Sequence, residues 1–195
     1  MLSPGRVRRL ILLSVVALAL GGDSAAASPA PIMPRLVPAE TGRTVTIKIV
    51  EAAGKLAFVG PPTVVEGDQL EIVNTTNPQK VGPFTFSLVR PGYLPKTKRA
   101  QAACFTPNHI CWSIAEWQGV HGEGVPTVNP SEAGLPGWDT PGTTTGPGDS
   151  WFTGVKPGTH FSQEVTAKAP RRLWFMDAIH PWVRGTIRVV SPGQE

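Results

Sequence analysis

Asp177 and His180 are the two residues of this chain whose types and spacing best suit metal binding or catalysis. They lie three positions apart in a short segment that also holds Pro181 and Trp182. A carboxylate and an imidazole together suit a divalent ion such as zinc or oxidised copper. The same pair supplies two members of a hydrolytic triad. A simpler alternative is that Asp177 accepts a hydrogen bond from a backbone amide or from His180 and so fixes the loop.

A metal site at this loop requires at least one further ligand. The candidates are His121, in a long glycine- and proline-rich segment, and His160, which precedes a predicted strand. No cofactor is expected, and copper or zinc is the ion that the alternative, a metal site, would bind. Hydrolysis requires a nucleophile, but Ser113, Ser150 and Ser162 lack the glycine-framed motif. The sequence therefore predicts no enzyme, and it leaves the structural loop and the metal site as alternatives.

Two predicted strands hold the loop, one on each side of it. Residues 173–176 form an apolar run, and residues 186–190 alternate apolar and polar side chains, as a half-buried strand does. Upstream, Glu66-Gly67-Asp68 separates two apolar runs and predicts a hairpin-like turn. Further strands are predicted at residues 44–50, 55–59 and, as an edge strand, 161–167.

The segment around His180 resembles the C-terminal ligand loop of cupredoxins, the plastocyanin-like blue-copper domains. In that family aromatic-x-Cys-x-x-His-Pro-x-Met-x-Gly leads into the last strand. His180 falls on the ligand histidine and Gly185 on the glycine. Asp177 stands where the family has its cysteine, and Val183 stands where it has the axial methionine.

A second stretch carries the same resemblance. The turn at residues 66–68 precedes an apolar strand that ends in Asn74, and Pro83-Phe84-Thr85-Phe86 follows where the family shows Pro-His-Thr-Phe. Phe84 thus replaces the first ligand histidine. The resemblance covers about residues 45–89 and 152–190. It implies an all-β Greek-key sandwich of cupredoxin type.

Because Phe84, Asp177 and Val183 replace three of the four ligands, the resemblance implies a binding or structural module that has lost its type 1 copper site. One alternative is a copper- or zinc-binding protein with a remodelled site around His180 and Asp177. Another is a carbohydrate or peptide binder that uses exposed tryptophans. Trp174 is expected in the core, while Trp151 and Trp182 are expected to cap the end of the sandwich near His180.

Residues 92–150 form a predicted insertion that the resemblance does not cover. Residues 100–117 have helical character and hold Cys104 and Cys111, the only cysteines of the chain. In an oxidising compartment two lone cysteines predict a disulfide. Residues 118–150 read as a long loop, either functional or disordered, with Trp138 and Trp151 packing its end against the core.

The N-terminal segment has the pattern of a secretory signal peptide. Arg6, Arg8 and Arg9 precede an apolar run at residues 10–20, which is too short to span a bilayer, and small residues end at Ala27. We expect residues 1–27 to be cleaved, residues 28–43 to be a disordered leader, residues 44–191 to be the domain and residues 192–195 to be a tail. The mature protein is expected to be secreted, in a periplasmic or extracellular compartment, without a membrane-spanning segment.

Charge gives little sign of a nucleic-acid partner. The chain of 195 residues carries a formal charge of +4. Basic residues cluster at residues 96–99 and at Arg171 and Arg172, without the density or the interleaved aromatic residues of a nucleic-acid groove. The sequence therefore predicts solvated surface charge at both places, and an unidentified protein or small ligand as the partner.

Overall fold

Two β-sheets pack against each other in the structure, a computed structural model that describes residues 42–120 and 137–195. A four-stranded sheet has the order β2-β1-β4-β7, and a five-stranded sheet has the order β3-β9-β8-β5-β6. The strands are β1 (Thr44–Ala52), β2 (Lys55–Val59), β3 (Thr63–Val65), β4 (Gln69–Asn74), β5 (Thr85–Leu88), β6 (Ser150–Phe152), β7 (His160–Glu164), β8 (Arg171–Met176) and β9 (Arg184–Val190).

Period-two alternation places one face of each sheet in the core. Val45, Ile47 and Ile49 of β1 are buried while the residues between them are not, and Leu70 and Ile72 do the same in β4. Side chains of the five-stranded sheet meet them from the other side. The core members from that sheet are Val64, Phe86, Leu88, Leu173, Phe175, Ile187 and Val189. The predicted β-rich fold is confirmed, and both of its sheets combine parallel and antiparallel pairs.

The hairpin predicted at residues 66–68 is wrong. β3 pairs in parallel with β9 and β4 pairs in parallel with β1, so the turn carries the chain from one sheet to the other. Gly67 adopts a φ of 89°, a conformation that favours glycine. The buried carboxylate of Asp68 accepts hydrogen bonds from the Val65 amide and from Arg43. Arg43, which the sequence assigns to the leader, also pairs with Glu195 of the predicted tail.

The helical insertion lies beside the outer face of the five-stranded sheet. It consists of the short helix α2 (Lys98–Ala102) and the helix α3 (Ile110–Trp117), and the predicted disulfide between Cys104 and Cys111 is confirmed. A further short helix, α1 (Pro78–Val81), precedes β5. Buried residues of α3 form a second apolar cluster with Met176 and Ala178. No helix of residues 42–120 and 137–195 is long and apolar enough to cross a membrane.

The end of the long loop packs as expected from its tryptophans. Trp138 is fully buried, its ring nitrogen donates to the carbonyl of Leu70, and its backbone bonds to Glu164 and Ala167. Trp151, in β6, stacks on Phe161. β7 is an edge strand, as predicted. The part of the loop at residues 121–136, including His121, lies outside the described residues.

Candidate functional site

Backbone hydrogen bonds within the loop between β8 and β9 hold it in one conformation. The Asp177 amide donates to the Val183 carbonyl over 2.9 Å, and the Val183 amide donates to the His180 carbonyl over 2.7 Å. These bonds close the loop on its own backbone, and Val183 is buried. Antiparallel pairing of β8 with β9 sets where the loop begins and ends. His180 is thereby presented at one end of the two sheets.

Asp177 is a fully buried carboxylate whose two oxygens are both hydrogen-bonded. Its Oδ1 accepts from the Thr85 amide at 2.8 Å and from the Ile179 amide at 3.0 Å. Its Oδ2 accepts from the His180 amide at 3.2 Å and lies 2.6 Å from His180 Nδ1. A buried charge is tolerated when it is paired and hydrogen-bonded, and these bonds meet that condition.

Thr85 ties this carboxylate to the neighbouring strand. Its hydroxyl accepts from the Ala178 amide at 2.8 Å and lies 3.3 Å from Asp177 Oδ1, to which it donates. Thr85 was not singled out from the sequence. The signal that could have found it is the alternation of residues 84–88, which directs Phe84 and Phe86 to the core and Thr85 to the opposite side, where β8 ends.

Both nitrogens of the His180 ring face acceptors. Nδ1 lies 2.6 Å from the Asp177 carboxylate, and Nε2 lies 3.0 Å from the carbonyl oxygen of Val81. Only a doubly protonated ring donates to both acceptors at once. A metal ion needs a free lone pair on one ring nitrogen, so it would have to displace one of these two bonds. We call Asp177, His180, Thr85 and the Val81 carbonyl the His180 knot.

Aromatic rings enclose the imidazole. The Phe84 ring lies 4.6 Å from it, tilted by 36°, and the Trp182 ring meets it edge-on at 5.4 Å. The His180 side chain is 12% exposed, whereas Trp182 is 55% exposed. Trp182 therefore caps this end of the sandwich, as predicted. Trp151 stacks on Phe161 in the core instead.

The other candidate ligands do not assemble with this pair in the described part of the chain. His160 begins β7 on the four-stranded sheet, opposite Val73, with its side chain exposed. Residues 42–120 and 137–195 contain no group of three or more His, Cys, Asp or Glu residues that could hold a metal ion. The hydrogen bonds of the His180 ring go to a carboxylate and a backbone carbonyl, and neither nitrogen is bonded to a hydroxyl or thiol.

A second polar region lies where the long loop returns to β6. Asp149 is fully buried, and its Oδ2 accepts from the amides of Asp139 and Thr140, both at 2.7 Å. Its Oδ1 has no hydrogen-bond partner among the described residues. Burial raises the pKa of Asp149 to about 7, against the lowering effect of the two amides. This carboxyl fixes the segment that begins at Trp138.

Arg171 and Arg172, predicted to be solvated surface charge, line a cleft with Arg90 and Trp174. Trp174, predicted to be in the core, is half-buried on the outer face of the five-stranded sheet. Both arginines are exposed, as predicted. The face of the sheet on which Trp174 lies could not be read from the sequence, because residues 173–176 are continuously apolar and give no alternation that assigns a face.

No protein-family model, no curated protein and no solved structure matches this chain. Conclusions about function therefore rest on the residues and their geometry.

Proposed function

We propose that this protein is an exported cupredoxin-like module, non-catalytic, whose type 1 copper site has been replaced by the His180 knot and which acts in binding or as a structural unit. The observation that carries the proposal is the convergence of four positions that the resemblance assigns to ligands. Asp177, His180 and Val183 lie in one loop, and Phe84, from a separate part of the chain, packs its ring against His180 in that loop.

The side chains at these positions support replacement. A type 1 site needs two imidazoles, a thiolate and a weak axial ligand. Here Phe84 offers no lone pair and packs its ring against His180. Asp177 uses both oxygens in hydrogen bonds, and Val183 is buried with its amide and carbonyl both engaged. The remaining imidazole has no free nitrogen.

The fold supports the same family. The chain moves repeatedly between two sheets that combine parallel and antiparallel pairs, which is compatible with a Greek-key sandwich of cupredoxin type. Gly185 stands at the glycine of the family motif, and a Cβ there would lie 2.6 Å from the Phe175 ring. The position thus requires glycine for packing against β8.

The test is to measure metal content and then to rebuild the site. The purified chain, offered copper and zinc, is expected to bind neither stoichiometrically and to show no metal-dependent shift in melting temperature. The variant Phe84→His/Asp177→Cys/Val183→Met is expected to bind copper with the intense visible absorption of a thiolate–copper bond.

His180→Ala is the control in both backgrounds. Added to the rebuilt variant, it should abolish the visible absorption, because it removes His180, the one family ligand that the unaltered chain retains. Stoichiometric metal in the unaltered chain that His180→Ala removes would contradict replacement and favour the remodelled metal site. A folded rebuilt variant that takes up no copper would contradict the assignment of the four positions.

A further inference from the structure

Basic side chains surround one tryptophan on the outer face of the five-stranded sheet. Leu173 and Phe175 of β8 point into the core, so Arg172 and Trp174 lie on the opposite side of the sheet. Residues from β9 and from the segments after β5 extend the same surface. We call this surface the basic face and define it by the five basic residues that line its two clefts: Arg90, Lys96, Arg172 and Arg184 around Trp174, and Arg171 next to them at the start of β8.

Trp174 separates two clefts on this face. The larger, of about 530 Å³, is lined by Arg90, Arg171 and Arg172. The smaller, of about 330 Å³, is lined by Lys96 and Arg184. Both volumes lie in the range of ligand sites, roughly 300–1,000 Å³. The indole belongs to the wall of both clefts, so a ligand that spans them would cross its exposed part.

The charge of this face is largely unneutralised. None of its five basic side chains forms an ion pair with another of residues 42–120 and 137–195. The one carboxylate in the lining of the two clefts is Asp139. Burial opposes its ionisation, but hydrogen bonds from Thr140 and Thr166 and the nearby Arg171 charge hold its pKa below the usual value.

The positively charged side chains of this sheet face repel one another, yet specific contacts hold two of them in position. Arg172 stands directly opposite Arg188 in the β8–β9 register, and like charges in that position destabilise a sheet. The Arg172 guanidinium lies 5.9 Å above the Trp174 ring, and Arg184 donates to the Pro95 carbonyl over 2.9 Å. The Arg172 guanidinium is therefore positioned over the indole, and that of Arg184 is held at the smaller cleft, which Trp174 also lines.

We propose that the basic face binds an acidic polysaccharide, a chain of uronate sugars. Arg90 and Arg172 bind one carboxylate and Lys96 and Arg184 bind the next, while the part of the Trp174 indole that the Arg172 guanidinium leaves exposed contacts the sugar between them. The guanidinium fork matches a planar carboxylate in two parallel hydrogen bonds. Two basic clefts on either side of one indole fit a ligand whose anionic group repeats.

An acidic peptide fits this surface less well. Peptides that bind sheets usually add a strand to a free edge, but β8 lies between β9 and β5 and has no free edge. The face offers charge and one aromatic surface without backbone groups for a peptide to pair with. This ligand assignment goes beyond the proposed function. It does not depend on whether the His180 knot replaces a copper site.

The experiment is calorimetric titration of the full chain with oligogalacturonate, compared with a neutral glucan oligomer and with polyglutamate. Oligogalacturonate should bind with an affinity that falls as salt is raised, the neutral glucan should not bind, and polyglutamate should bind at least about tenfold more weakly. Arg90→Gln/Arg172→Gln should weaken oligogalacturonate binding by about tenfold or more, because it removes two charge-assisted contacts.

Lys48→Gln/Lys55→Gln is the matched control. It removes the same charge from exposed lysines of the four-stranded sheet and should leave binding within about twofold of the unaltered chain. Equal weakening by both double variants, binding of polyglutamate as tight as that of oligogalacturonate, or no binding at all would each overturn the proposal. A second variant, Lys96→Gln/Arg184→Gln, tests the smaller cleft independently and should weaken binding in the same way.

Discussion

The His180 knot is built on the loop between β8 and β9, and the basic face is centred on those two strands, yet charged groups are arranged in opposite ways in the two regions. In the knot, both carboxylate oxygens of Asp177 and both ring nitrogens of His180 have a partner. On the basic face, five cationic side chains share one carboxylate, that of Asp139. The first arrangement stabilises one loop conformation. The basic face keeps its positive charges unpaired, which lowers the stability of the fold. Such a surface is expected where a protein binds an anionic ligand.

Removing the carboxylate of the knot should have the largest effect. Asp177→Ala leaves the amides of Thr85 and Ile179 and the His180 ring without their acceptor inside the protein. We expect the free energy of unfolding to fall by about 3–5 kcal/mol, the range for breaking a buried charged network. Urea denaturation measures it.

Glu51→Ala is the control for that variant. It breaks the exposed ion pair with Lys80, which should contribute at most about 1 kcal/mol. If the two substitutions reduced the free energy of unfolding by the same amount, the carboxylate of Asp177 would not be the centre of the hydrogen-bond network in the His180 knot.

Asp149 predicts a pH dependence of the free energy of unfolding. Burial raises its pKa from the ordinary value of 3.8 to about 7 in the folded protein, so the folded state holds a proton that the unfolded chain releases near pH 4. The contribution of Asp149 to the free energy of unfolding therefore falls as pH rises from about 4 to 7, by up to about 4 kcal/mol, and is constant above that.

The measurement is urea denaturation of the unaltered chain and of Asp149→Asn at several pH values. Asparagine keeps an oxygen for the amides of Asp139 and Thr140 but does not titrate. The variant should lose this part of the pH dependence and be the more stable protein above pH 7. Parallel pH profiles for the two proteins would show that Asp149 is ionised in the folded state over the whole range.

The smallest expected effect concerns the arginine pair of the outer sheet face. Arg188→Thr removes the like charge opposite Arg172 and places a β-branched residue in a strand, so it should raise the free energy of unfolding by about 0.5–1 kcal/mol at low salt. The gain should shrink as salt screens the charges. A loss of stability, or a gain independent of salt, would mean that the two guanidinium groups do not repel each other.

Strands with clear alternation, such as β1 and β9, could be predicted from the sequence, and so could the loop around His180 between two strands. The disulfide followed from two cysteines and the expected compartment. β3 and β4 were mistaken for a hairpin because a glycine turn between apolar runs looks the same whether the strands pair with each other or with distant partners. Their parallel pairing with β9 and β1 depends on contacts remote in sequence.

Part of the candidate site could be predicted from the sequence. Asp177 and His180 were found because they lie three apart, but the partner of His180 Nε2 is a backbone carbonyl, and no residue type reveals that. The basic face was missed because Arg90 and Arg171 are distant in sequence and meet only when β5 lies beside β8. A short motif carries local contacts, whereas a sheet face joins residues from several segments.

The most direct test of the proposal that the His180 knot replaces a metal site is a nitrogen-15 NMR titration of the histidine rings with zinc and copper at pH 7.5. His109 and His160 serve as internal references in the same spectrum, since both lie outside the knot and are exposed. We expect the His180 ring resonances to stay unchanged while the exposed rings show only weak, non-stoichiometric changes. A selective, stoichiometric shift or broadening of His180 would show that a metal ion displaces Asp177 or the Val81 carbonyl, and would contradict the account of a closed knot.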